Sequence, residues 1–127
     1  MFGMALVGVQ VGCDRLVIGA PGAGNLEVPF AEAGGSEVEV EVWNDTCRAS
    51  DEGAEAAAWF SDFFGFRARL VRLAGDHVRP VGSAGARPGD WVSFADAFPF
   101  LLLSQESLDG LNQRLAERLP MKRFRPN

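Results

Sequence analysis

Lys122, Arg123 and Arg125 place three cations within four positions, and Pro126 and Asn127 follow directly. Held by a fold, such cations bind an anion; otherwise they form a solvated face, with Arg125 a surface residue beside a turn fixed by Pro126. Glu37, Glu39 and Glu41 are a second candidate, because hard cations take carboxylate oxygens. Their spacing argues against it: alternate residues of one strand stand about 6–7 Å apart and do not converge, so a solvated acidic face is expected. Cys13 and Cys47 are too few and too far apart for a zinc site and read as reduced thiols. His77 is the single histidine, and no Gly-x-Ser-x-Gly accompanies it, so a Ser-His-Asp triad has no support and His77 reads as a solvated loop residue. Gly19 to Asn25 is rich in glycine like a phosphate cradle. It lacks the following Lys-Ser/Thr and a helical pattern, so a turn is expected.

The elements that must position these groups follow from periodicity. Ala5 to Val11, Leu16 to Ile18 and Leu26 to Phe30 are β-rich runs, the first two joined by a tight connection at Gly12 to Arg15. Ser36 to Trp43 alternates strictly, with Val38, Val40 and Val42 on one face and the three glutamates on the other. Asn44 to Asp51 is polar and reads as a turn. A helix follows to Phe64, with Ala56, Trp59, Phe60, Phe63 and Phe64 as its apolar stripe, Ser50 or Asp51 as its cap and Gly65 as its end. Phe66 to Leu73 alternates again and is expected to return as a strand beside the acidic one, with Arg67, Arg69 and Arg72 the side chains that would reach solvent. Ala74 to Asp90, dense in glycine and proline, reads as loop.

In the last third, Phe98 to Leu103 is an unbroken apolar run suited to a strand buried on both faces, ended by the capping oxygen of Ser104. Leu108, Leu111 and Leu115 recur at i, i+3 and i+7. They predict an amphipathic helix with Asp109, Asn112, Gln113, Arg114 and Glu117 on its polar face and Pro120 as its stop. The elements make the class α+β, and the resemblance set out below implies that the strands form an antiparallel, barrel-like sheet with one helix, followed by a buried strand and a second helix.

At 127 residues the chain fits one domain of modest core. A net charge of −5 with 47% hydrophobic and 23% charged residues excludes a general nucleic-acid binder, which would be basic. No apolar run approaches the roughly 18 residues that span a bilayer, and the first residues lack the basic start of a secretory signal. No membrane partner and a cytoplasmic location are expected.

Two stretches carry a resemblance. Asp96-Ala-Phe-Pro99, the Leu-rich run, the Ser-capped helix and Arg123-Phe-Arg-Pro-Asn127 follow one another in an order similar to the start of the MOSC domain, named after the molybdenum cofactor sulfurase C-terminus. Asp51-x-Gly-x-x-Ala-x-x-Trp59, preceded by a Val-Trp strand, resembles the same family, in particular its amidoxime-reducing members. The resemblance runs from about Leu6 to Asn127. It implies residues 1–74 as part of the family's N-terminal β-barrel domain with its helix, 75–92 as a connecting loop and 93–127 as the start of the MOSC domain. Family chains continue into a second barrel that holds the cysteine ligand of molybdenum, and upstream they carry further cofactor-touching strands. On that pattern the chain is expected to be a truncated part of a molybdenum oxidoreductase that reduces N-hydroxylated compounds, inactive by itself.

The resemblance also implies a site. Ala97 and Phe98 match the turn where the family approaches its molybdenum-pterin cofactor, although both lack the hydroxyl that some relatives have. Arg125 and Asn127 match its cofactor-contacting Arg and Asn. The chemistry suits them: a guanidinium gives a phosphate a planar bidentate clamp, and an amide offers a pterin edge both donor and acceptor. No catalytic residue and no metal ligand is assigned, and the chain alone is expected to bind no cofactor. At family level pyridoxal phosphate binding and a redox partner are implied too. The competing reading is a non-catalytic β-rich interaction module that self-associates or is completed by another chain through an open strand edge.

Overall fold

The computed structural model describes residues 3–31 and 35–124. The chain divides into two compact units, Met1–His77 and Val78–Asn127.

In the first unit, β1 (Gly8–Val11), β2 (Arg15–Gly19) and β3 (Leu26–Pro29) form an antiparallel sheet in that order. Its register sets Leu16 opposite Val28 and Ile18 opposite Leu26, so alternation puts their apolar side chains on one face. Helix α1 (Ala54–Phe64) packs Ala56 and Phe60 onto Ile18, Leu26 and Val28, with Leu16, Trp59, Phe64 and Leu70 around this core. Fully burying each large side chain stabilises by about 1.5–3 kcal/mol. Glycine ends the helix as expected: Gly65 takes the left-handed conformation at φ 71° and its N–H donates to the Ser61 carbonyl at 2.9 Å. The cap at the other end differs. Gly53 is the N-cap without a side-chain bond, and Asp51 instead accepts the Gly53 N–H at 2.7 Å, just before the helix.

The second sheet is β4 (Glu37–Val42), β5 (Asp45–Asp51) and β6 (Val71–Leu73), again antiparallel and in chain order. In β4 the three glutamates are exposed and the three valines half-buried, as the alternation requires. β5 corrects the reading of Asn44 to Asp51 as a turn. Only Trp43 and Asn44 turn; from Asp45 the chain pairs with β4 throughout, burying Cys47, Ala49 and Asp51. The return strand therefore lies against β5 and not against the acidic strand, and it is only three residues long. Arg69 and Arg72 do not simply reach solvent. Arg69 Nε lies 2.5 Å from Asp51 Oδ2, and Arg72 Nε donates to Glu52 Oε1 at 2.6 Å. The other two Arg72 nitrogens donate to the carbonyls of Phe30 and Pro29 at 2.6 and 2.7 Å, tying the second sheet to the end of β3. On the surface, Arg48 pairs with Asp76 at 2.7 Å and holds that carboxyl below its usual range.

The second unit contains β7 (Arg79–Pro80) paired with β8 (Trp91–Val92), then α2 (Gln105–Asn112). The stretch read as loop thus contains a short ladder. The α+β class holds, while no closed barrel forms among the described residues. The buried strand expected at Phe98 to Leu103 is absent: the run has no regular structure, and Phe100 and Leu102 are 73% and 86% exposed. Pro99 offers a reason, since it removes a ladder donor and restricts Phe98 before it. Helix α2 also ends earlier than Pro120 would impose, leaving Leu115 outside it.

Candidate functional site

The turn around Ala97 and Phe98 is built by a residue that sequence reading left in the loop. Arg79 is 7% exposed. It donates to the carbonyls of Ser93 at 3.0 Å and Ala95 at 2.7 Å, beside the register pair it forms with Val92. A guanidinium has enough donors to serve several acceptors, so one side chain fixes the backbone leading into Asp96–Pro99. Ala97 comes out half-buried and Phe98 48% exposed. The connection from β7 to β8 is closed separately, with the Arg87 N–H donating to Asp90 Oδ2 at 2.8 Å and the Asp90 N–H returning to the Arg87 carbonyl at 3.0 Å.

Ser104 caps α2 as expected, accepting the Ser107 N–H at 3.1 Å. Asn112, expected on the solvated face, is instead 8% exposed. Its Nδ2 donates to the Leu119 carbonyl at 3.0 Å and its Oδ1 accepts the Leu119 N–H at 2.8 Å. This two-way grip ends the helix and closes the 113–119 segment, after which Met121–Phe124 form a 3₁₀ turn. Phe124 returns beside the helix, where it and Leu103, Ser107, Leu108 and Leu111 line a cavity of about 60 Å³. The segment after α2 is thereby brought against the segment before it. Lys122 and Arg123 are exposed on that turn, while Arg125 and Asn127 lie outside the described residues.

Exposed cations follow α2, and among the described residues no group of three His, Cys, Asp or Glu side chains is placed to hold a metal ion. Both cysteines belong to the first unit: Cys13 is exposed between β1 and β2, and Cys47 is wholly buried in β5. The exposed cations after α2 are of the kind a phosphate takes, whereas no cysteine of this unit offers the thiolate a molybdenum ion takes. His77 is half-buried, its N–H donating to the Ala74 carbonyl at 2.9 Å. The acidic row of β4 stays spread along its strand.

The mitochondrial amidoxime-reducing component 1 of Mus musculus is 34% identical over 98% of this chain and 38% of its own length. The component 1 of Homo sapiens is 29% identical over the same shares. The chain therefore spans about 38% of the length of these relatives. The solution structure of a Bordetella bronchiseptica protein, 30% identical, superposes with a TM-score of 0.50 over 57% of this chain and 58% of that one. No helix among the described residues is long and apolar enough to cross a membrane, and the Mus musculus and Homo sapiens relatives are mitochondrial by name. Residues 3–67 match the MOSC N-terminal beta barrel domain and residues 89–127 match the MOSC domain. The two matches occur in the family's order and fall one in each structural unit, and the chain belongs to the MOSC-domain family.

Proposed function

We propose that this chain serves a molybdenum-cofactor oxidoreductase of the amidoxime-reducing type, its second unit binding the phosphate and pterin edge of the cofactor. The observation that carries the reading is the return of the cationic segment beside the stretch that follows the Arg79-held turn. When bound, the cofactor supplies two-electron chemistry toward N-hydroxylated compounds, and the protein binds and orients it. Arg125 is assigned to clamp the phosphate, Asn127 to bond the pterin edge, and the backbone of Ala97 and Phe98 to flank the group. The two free thiols support a reducing compartment such as the cytosol.

Removal of Arg125 tests the assignment, read in a chain that includes the family's cysteine-bearing barrel. Arg125→Ala loses a charge-assisted contact of about 1.5–3 kcal/mol, so cofactor affinity is expected to fall roughly tenfold to hundredfold. Arg125→Lys keeps the charge without the fork and recovers part of the loss. Binding is read as pterin fluorescence retained by the protein after gel filtration. Arg118→Ala is the control, as Arg118 is 77% exposed and 3.6 Å from Asp109. Equal losses at positions 118 and 125 would mean diffuse electrostatics and no clamp.

A further inference from the structure

The first unit holds a groove of about 500 Å³ between the loop Pro21–Gly24 and one face of α1. Its helix wall is aromatic and acidic: Trp59 and Phe63 stack with ring centres 5.6 Å apart, and Asp62 lines the groove beside them. Both walls are fixed in place. The Trp59 indole N–H donates to the Gly24 carbonyl at 2.5 Å, and Phe60 packs edge-on against the same indole with centres 4.8 Å apart. Across the groove the Ala23 N–H donates to the Ala20 carbonyl at 3.1 Å, and Gly22 holds φ 78°, which a residue with a side chain rarely adopts.

The charge of the groove is unbalanced. Glu55, Trp59 and Asp62 stand at i, i+4 and i+7, on one face of the helix. Among the described residues no arginine or lysine is paired with either carboxylate, and Asp62 is the one of the two that lines the groove. An aromatic face attracts a cation through its quadrupole, and a carboxylate takes a guanidinium through paired N–H bonds. The volume lies within the range of small-molecule sites, about 300–1,000 Å³. An anion would meet Asp62, and a neutral apolar ligand would strand that carboxylate.

We propose that this groove binds a planar organic cation of the guanidinium class, stacked on the Trp59–Phe63 wall and paired with Asp62. It is independent of the cofactor reading, which concerns the other unit. The test is titration of the isotope-labelled chain with methylguanidinium at constant ionic strength, with methylurea as the neutral ligand of similar shape. The Trp59 indole N–H resonance, assigned with Trp59→Phe, and the amides of residues 22–24 are expected to shift saturably with methylguanidinium and not with methylurea. Asp62→Asn, which preserves shape, is expected to weaken binding about tenfold. Equal responses to the two ligands, no saturable shift, or an unchanged affinity in Asp62→Asn would overturn the proposal.

Discussion

Arg72→Ala is expected to destabilise the first unit by about 3 kcal/mol, lowering its melting temperature by roughly 10–20 °C. Three contacts disappear together: the bond to Glu52 and those to the carbonyls of Phe30 and Pro29. The Glu52 side chain is only 5% exposed, so the substitution leaves a carboxylate without its cation in a largely dry place. Part of the cost is relieved by solvent, because the arginine side chain itself is 35% exposed. Chemical denaturation of Arg72→Ala, Glu52→Gln and the double variant separates the contributions. The double variant should lie closer to the parent than the sum of the two losses, since removing both partners strands no charge. A loss below about 0.5 kcal/mol for Arg72→Ala would place it among ordinary surface arginines.

The second large effect is at Arg79. Arg79→Ala removes charge-assisted bonds to two carbonyls and is expected to cost the second unit about 2–3 kcal/mol. It should also release the backbone of residues 93–98. Hydrogen exchange at those amides is expected to quicken by more than tenfold while that of α1 stays unchanged. Arg79→Lys, a point charge without the fork, should restore less than half of the protection. Uniform acceleration over the whole chain would mean global destabilisation, and no acceleration would remove Arg79 from the turn.

What sequence made legible was periodic. The glutamate and valine alternation of β4 and the aromatic stripe of α1 came out as read, because one period and one apolar face decide each. The cap at Ser104 followed from local hydrogen-bond chemistry in the same way. β5 was hidden because its inward residues are Cys47, Ala49 and Asp51, small or charged, and Asp51 is buried only with Arg69 and the Gly53 N–H around it. Phe98 to Leu103 misled in the opposite sense: apolar composition states a preference for burial, not the presence of a neighbouring strand. Arg79 and Asn112 were invisible as site builders. Their partners are backbone atoms 14 to 16 and 7 residues away, which no side-chain pattern encodes.

The central claim is the proposed one, that Ala97 and Phe98 on one side and Arg125 and Asn127 on the other contact the same cofactor. Amide chemical-shift mapping of the labelled chain with a pterin monophosphate tests it most directly. The account predicts saturable shifts at residues 95–98 and 122–127 with the same dissociation constant, and none along Glu37–Val42. Shifts confined to the first unit, or different constants for the two segments, would contradict it.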